Sequence, residues 1–389
     1  MKAILPKIDI LNSVINFAKK CFTKPQFHHF HRYLGGLITL PSKTISRIAA
    51  ASTTHKDQSS VNRFLTSSDW DEEMLQERYL KKVKHLFHRE QTSLIIDDSI
   101  SKKTGEHIED TQYHKDHCSN GYVFGHQIVT ALIKAKDKVL PIFPKLYSKK
   151  TESKIELAKE LIQLAFKKIR INEVIIDSWY MATDIIKFCL KRNLDVIGCL
   201  KSNRKVSFDR GERIKLKTYF KKLKEKDFQP MIIDDATYHI HEKIVRIKHI
   251  GFVKILISQE WKKEEKKWSK PFYLMSTDVK KSAVQIVRIY ANRWSIETFH
   301  RDIKQNFGLE ACQVRGRKGI IRHLILVTLA YAVLKFWMSL HGVVWTLGEV
   351  VRYIQGRLFD DLIITLVEEE SKVKRWKLAE QFISKTAKV

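Results

Sequence analysis

Two short apolar runs in this sequence lead into aspartate. Leu94-Ile95-Ile96 is followed by Asp97-Asp98-Ser99, and Val174-Ile175-Ile176 by Asp177-Ser178. A third carboxylate, Glu297, stands in the stretch Tyr290 to Lys304, whose charged and apolar residues separate at helical spacing. With Arg293 at zero on a wheel of about 100° per residue, Tyr290, Glu297, Arg301 and Lys304 fall within roughly 80° of it. Ile289, Ile296, Phe299, Ile303 and Phe307 centre on about 280°, so one face is core and the other sets a carboxylate among cations. Acids converging from two strand ends and a helix could hold Mg²⁺, which takes oxygen ligands. Two such ions about 4 Å apart activate a nucleophile at phosphorus and relieve charge on the leaving oxygen, the chemistry of phosphodiester cleavage. A surface helix with ordinary ion pairs, Glu297 with Arg301 at i,i+4, is the other reading of the same stretch.

The wording of the helix decides between them. Tyr290, two residues, Arg293, three residues, Glu297, six residues and Lys304 resemble the Y-R-E-K signature of bacterial insertion-sequence transposases of the "insertion sequence four" family, whose active site is a D-D-E triad. Trp294 and Phe299-His300 inside that frame are also similar to family members. The resemblance implies that two aspartates complete the site with Glu297. Strand side chains alternate in direction, so of Asp97 and Asp98 only one can reach the metals. The family's aspartate usually precedes a small or hydroxylated residue, which points to Asp98 before Ser99. The implied catalytic and metal-binding set is Asp98, Asp177 and Glu297, with two Mg²⁺ or Mn²⁺ ions. Arg293 and Lys304 would hold phosphates of the transposon end, Tyr290 would give a phosphate hydrogen bond, and Arg301 would extend the cationic edge. Trp294 joins this DNA-binding set, although packing between helix and insertion is the stronger reading of it. The implied partners are double-stranded DNA, at transposon ends and target, and a second copy of the chain in a synaptic dimer, with a hairpin intermediate as a further possibility of the family.

The elements that must position these residues follow from pattern. Residues 1–90 are mostly helical and polar, with Pro41 to Ala50 and Ser59 to Leu65 as two short helices joined by Ser52 to Asp57. That is the outline of a helix-turn-helix in a helical N-terminal DNA-binding domain. The triplet His28, His29 and His31 lacks the Cys or carboxylate partners of a metal site. From Ser93 the pattern predicts a strand ending in the Asp pair, strands over Gly121 to Ile133 and Val139 to Leu146, and a helix from Ser153 to Arg170 opened by Ser153 and Glu156. A strand from Glu173 to Asp177, a helix over Thr183 to Arg192 and a strand over Val196 to Leu200 complete an order that matches the ribonuclease-H-like fold. The fold class expected is therefore α/β, with a ribonuclease-H-like catalytic core over 91–200 and 271–345.

Between the second and third acids, residues 201–270 form a basic, mostly β insertion. Residues 201–226 carry eleven Lys and Arg against three acids. Strands are expected at Met231 to Ile233, Tyr238 to Lys248, Phe252 to Ser258 and Pro271 to Ser276. Trp261 and Trp268 stand among lysines there, placed either to stack an unpaired base or to close a hairpin, and Trp268 is counted with the DNA-binding residues. Residues 346–389 form a C-terminal helical segment ending in a basic tail.

Composition agrees with a DNA partner. In 389 residues, 71 Lys and Arg stand against 43 Asp and Glu, a net charge of +28 spread over the chain. A polyanion is the natural partner, nucleic acid before a membrane surface. The N-terminus reads as no signal peptide, and the longest apolar run, Ile320 to Leu340, contains Arg322, His323 and Lys335, which suits a buried helix better than a membrane span. Five scattered cysteines without C-x-x-C spacing suit reduced thiols in a cytoplasmic, nucleoid-associated protein. No Walker loop supports nucleotide-driven chemistry. Two rivals remain at this level: a non-catalytic DNA-binding protein derived from a transposase, and a ribonuclease-H-like nuclease without strand transfer.

Overall fold

The computed structural model describes residues 14–51, 58–115, 121–208 and 213–368. The expected joint at 52–57 lies outside them. Helices, in chain order, are α1 (Lys24–Thr39), α2 (Ile45–Ala50), α3 (Gln58–Thr66), α4 (Glu72–Val83), α5 (Lys154–Lys168), α6 (Thr183–Leu190), α7 (Leu216–Phe220), α8 (Ala283–Ala291), α9 (Trp294–Gln305), α10 (Arg317–Leu340) and α11 (Leu347–Glu368). Strands are β1 (Ser93–Lys102), β2 (Gln112–Lys115), β3 (Tyr122–Ala135), β4 (Lys138–Leu146), β5 (Glu173–Ile176), β6 (Asp195–Cys199), β7 (Lys205–Ser207), β8 (Arg213–Lys215), β9 (Gln229–Ile233), β10 (Ala236–Ile247), β11 (Gly251–Lys262), β12 (Lys267–Trp268) and β13 (Phe272–Ser276). The described residues divide into two compact units, one within 83–99 and 128–298, the other within 14–82, 100–127 and 299–368.

The first unit is organised on a mixed sheet in which β1, β5 and β6 are parallel neighbours. All four residues of β5 and the middle of β6 are buried, as expected of parallel strands covered on both faces. Their apolar runs carry no alternation for that reason. β13 runs antiparallel to β6, and β11 and β10 follow it in the same sheet. The predicted β insertion is therefore strand-rich as expected, but β10 and β11 extend the core sheet through β13. Ile240, Leu256, Leu274 and Ile197 of these strands pack with Ala283 and Ile286 of α8. Ser153 caps α5, its hydroxyl accepting the Glu156 N–H at 3.2 Å, and Ser282 with Gln285 forms a reciprocal capping box on α8.

Two predicted elements differ in extent. β1 does not stop at its aspartates: it runs on to Lys102, and Asp97 and Asp98 lie mid-strand, at the level where the neighbouring β5 ends. The stretch Tyr290 to Lys304 is two helices. At the junction Arg293 N–H bonds to Tyr290 O, Ser295 N–H to Asn292 O and Ile296 N–H to Arg293 O, at 2.9 to 3.0 Å. These i to i+3 bonds are a tighter, 3₁₀-like turn that interrupts the helical wheel.

The second unit is mostly helical and is assembled from distant parts of the sequence. α1 and α3 pack on α10, and α11 packs on α1. At the centre Arg322 of α10 has no exposed surface. Its guanidinium donates to the carbonyls of Leu65 at 3.2 Å, Ser68 at 2.7 Å and Trp70 at 2.7 Å, bonds Glu72, and lies 4.2 Å from the Trp70 ring centre. A buried charge is tolerated only when paired in this way. The described helices before residue 83 thus share one core with α10 and do not stand as the separate domain expected to end near residue 90. Among the described residues α10 is long and apolar enough to cross a membrane, yet nearly all of it is buried inside the protein.

One glycine controls how the chain leaves β5. Gly198 on β6 pairs with Ile176, and a Cβ there would collide with the Met181 sulfur and stand 2.6 Å from the Ile176 carbonyl oxygen. The turn after Asp177 can lie across the sheet only because that space is empty. Gly198→Ala is expected to lower stability by about 1–3 kcal/mol, the usual cost of overpacking, measured by urea denaturation.

Candidate active site

Register brings the acids together. Ile96 pairs with Ile176 and Ile176 with Gly198 at the last rung of the parallel ladder. One residue further on come Asp97, Asp177 and Cys199, and residues level on neighbouring strands share a face. Asp97 accepts the Asp98 N–H at 2.8 Å on one oxygen and Arg293 Nη1 at 3.1 Å on the other. Arg293 also bonds Glu297 one turn along α9. Its guanidinium therefore bridges the first aspartate to the helix glutamate. Asp177 accepts the N–H groups of Trp179 and Tyr180, each at 3.0 Å, which holds its carboxylate at the mouth of the turn.

Asp98 points the other way, as strand alternation requires. Its two oxygens accept Lys154 Nζ at 3.2 Å each, and one also accepts the Tyr180 hydroxyl at 3.0 Å. The member of the pair that shares a face with Asp177 and reaches Arg293 is Asp97, whereas the family's preference for a following hydroxylated residue selects Asp98. The geometry and that preference disagree, and the register argument is the physical one. Lys154, Tyr180 and Cys199 had not been singled out from sequence. Tyr180 and Lys154 become visible only when the opposite face of β1 is known.

The electrostatics reflect crowding of like charges. Burial, then the Asp177 and Asp98 carboxylates, push Asp97 up to about 7, against the opposing pull of the Asp98 N–H and Arg293. Burial, then Asp177, push the Cys199 thiol up to about 11. The Tyr180 hydroxyl is raised by burial and then by Asp98, and Tyr290 by burial and then Cys199, so both remain neutral donors.

The donor set suits a divalent cation in kind: hard carboxylate oxygens on rigid strands, crowded enough to hold one proton back. It is not closed in arrangement. Among the described residues no three carboxylate, imidazole or thiol groups stand gathered around a point able to hold a metal ion, and Arg293 occupies the approach between Asp97 and Glu297.

Of the remaining predicted residues, Tyr290 stays beside the acids, with its ring centre 6.0 Å from the Arg293 guanidinium carbon. Tyr290, on α8, is half-buried against the apolar cluster of the sheet and packs 5.7 Å from Phe272. Trp294 is 62% exposed, so it does not serve as packing. Arg301 is exposed and Lys304 half-buried, one and two turns beyond Glu297 on α9. Trp268 pairs with Trp261 across a hairpin, ring centres 5.2 Å apart, and stacks on His239 at 3.7 Å. It occupies the hairpin-closing role.

With this geometry in view, comparison with known proteins is direct. A family model described as "Transposase DDE domain" matches residues 88–333, which contain Asp97, Asp98, Asp177 and Glu297. This chain belongs to that family. A second model, "DDE superfamily endonuclease", matches residues 19–127 of the transposase. Its fold is similar to that in a cryo-EM structure of the piggyBac transposase synaptic complex with hairpin DNA, with a TM-score of 0.51 at 10% identity over 96% of this chain and 82% of that one. No curated protein matches the sequence. The transposase assignment thus agrees with the DDE-type reading of the sequence.

The Asp97 carboxyl makes stability pH-dependent with a definite sign. Its native value, about 7, lies above its ordinary 3.8, so the folded state binds the proton more tightly and this stabilising contribution is lost as pH rises from about 4 through about 7. Replacing Asp97 by Asn should flatten the stability profile across that window and raise stability at pH 8 by on the order of 4 kcal/mol. Urea midpoints at a series of pH values measure it; a profile as steep in the variant as in wild type would assign the dependence to another group.

Proposed function

We propose that this transposase binds the terminal inverted repeats of its element, cuts the ends and joins the freed 3′-hydroxyl strands to target DNA, as a dimer on double-stranded DNA. The reading further assigns it to the "insertion sequence four" type, through Tyr290, Arg293, Glu297 and Lys304, and its sheet to a ribonuclease-H-like core. The observation that carries it is the in-register pair Asp97 and Asp177 facing Glu297 through Arg293. The first acid of the triad is, in this reading, Asp97 and not Asp98.

Asp97, Asp177 and Glu297 would hold two Mg²⁺ or Mn²⁺ ions, which supply an activated oxygen nucleophile and neutralise the leaving oxygen. The protein's own part is arrangement. Asp177 is held by two backbone N–H groups, Asp97 by its strand. Glu297 is free to act as a ligand only when Arg293 turns away. A DNA phosphate offers that guanidinium a bidentate partner, so arrival of the DNA end would release Glu297 at the moment it is needed. Lys304 and Arg301 would follow the backbone along the same helix, Tyr290 would donate its neutral hydroxyl, and the exposed Trp294 ring would stack on a base at the opened end.

Duplexes carrying the element's terminal sequence test the assignment. In Mg²⁺ or Mn²⁺ the full-length protein should nick them and join a pre-cut end to a target; Asp97→Asn and Glu297→Gln should bind the duplex without cutting, while Asp98→Asn retains cutting. Binding without any cutting by wild type would leave a DNA-binding protein, and cutting without joining a nuclease. Loss of cutting in Asp98→Asn but not Asp97→Asn would return the first acid to Asp98.

Arg293 has its own test in the DNA-free protein. Arg293→Ala removes a competing cation, so Mn²⁺ should bind about tenfold more tightly, equivalent to ~1.4 kcal/mol, by titration with electron paramagnetic resonance detection. Weaker Mn²⁺ binding in that variant would mean that the guanidinium supports the site and does not compete for it.

A further inference from the structure

The Asp97 carboxylate on β1 and the Asp177 carboxylate just past the end of β5 belong to separate segments, and something must set their separation. The parallel ladder ends at Ile96 and Ile176, and Asp177 already lies outside β5. The strand ladder therefore stops short of the turn that carries Asp177, whose backbone is tied by Arg204 Nη1 donating to the Met181 carbonyl at 3.4 Å. Tyr180, three residues on, has no exposed surface. Its N–H donates to the Asp177 carboxylate at 3.0 Å, and its hydroxyl donates to the Asp98 carboxylate at 3.0 Å. One residue thus bonds the second aspartate with its backbone and the neighbour of the first with its side chain.

The far end of this link is itself anchored. Asp98 is a member of β1, and its oxygens are held by Lys154 at 3.2 Å from the first turn of α5. Lys154 also lies 3.9 Å from the Trp179 ring centre, and the Trp179 and Tyr180 rings meet edge to face at 4.8 Å. The hydroxyl remains protonated because burial and the adjacent carboxylates oppose its ionisation, so it is a permanent donor and not an acid in the reaction. Gly198 leaves the space in which this turn lies.

We infer that Tyr180 is a positioning residue that sets the separation of the Asp97 and Asp177 carboxylates by tethering the turn after β5 to Asp98 on β1. The inference rests on the reading of those two aspartates as metal ligands. It gives Asp98 a role that explains an acid beside an acid: an acceptor on the opposite face of β1, through which the turn after β5 is gauged against the strand that bears Asp97. Supporting hydrogen bonds of this kind typically change metal affinity by about 10- to 100-fold when removed.

The test uses Tyr180→Phe, which deletes one oxygen and keeps the buried ring. Mn²⁺ affinity of the folded full-length protein, measured by electron paramagnetic resonance, should fall about 10-fold or more. Because Asp98 also carries charge, it is probed by two neutral variants: Asp98→Asn keeps an oxygen that accepts the hydroxyl, and Asp98→Ala does not. Asp98→Ala should bind Mn²⁺ more weakly than Asp98→Asn when Tyr180 is present, and the difference should vanish in the Tyr180→Phe background, the signature of one shared bond. If Tyr180→Phe lowers Tm but leaves Mn²⁺ affinity at the wild-type value, the tyrosine is structural only and the inference is overturned. A difference between Asp98→Ala and Asp98→Asn that persists in the Tyr180→Phe background also overturns it. Absence of Mn²⁺ binding by the wild-type protein would overturn the metal-ligand reading and the inference with it, a result distinct from wild-type binding that the variants leave unchanged.

Discussion

The parallel pairing of β1 with β5 is the constraint on which the rest of the site depends. Because Ile96 pairs with Ile176, the next residue on each strand delivers a carboxylate to one face, and the side chains that follow take their places around that pair. Two adjacent carboxylates in a partly buried site repel each other, which raises the Asp97 carboxyl above its ordinary range, and the guanidinium of Arg293 partly offsets this. The arrangement is thus poised between internal neutralisation by protein groups and external neutralisation by cations. Burial makes the Asp97 carboxyl expensive to ionise and, for the same reason, favours a cation brought beside it.

Much of this was legible in the sequence, and the part that was missed has a physical cause. Leu94-Ile95-Ile96-Asp97 and Val174-Ile175-Ile176-Asp177 are the same pattern, three apolar residues and an acid. Laid side by side as parallel strands they select Asp97 by register alone. Asp98 stands out by a local feature, the serine after it, which carries no information about the register between strands. The helix break at Asn292 and Arg293 left no apolar gap to betray it, since Ile289 and Ile296 both remain on buried or half-buried faces. Glu297 stands out in the sequence because its spacing to Arg293 is a property of one short segment.

Long-range organisation was the least legible. Nothing in residues 201–270 distinguishes strands of a separate insertion from strands that continue an existing sheet, because both alternate in the same way. The pairing partner decides, and β13 supplies it from further along the chain. The N-terminal helices likewise look self-contained: they are short and capped, with buried positions at proper spacing. Their apolar faces are met by α10, and a helix pattern does not name its partner.

That dependence on α10 bears on how the protein is made. Arg322 closes its bonds to Phe64, Leu65, Ser68, Trp70 and Glu72 across more than 250 intervening positions in all but the last of these. During synthesis, residues 1–82 leave the ribosome long before the helix that completes their core, so they must wait, incompletely buried, while the whole of the sheet unit is translated. Contacts so distant in sequence are paid for late in loop closure and slow the final step of folding. A chain that stops short of α10 would leave its first helices with only the cluster of Phe22, Phe30, Phe64 and Trp70 between them, and these early helices would be among the last parts to become a rigid surface.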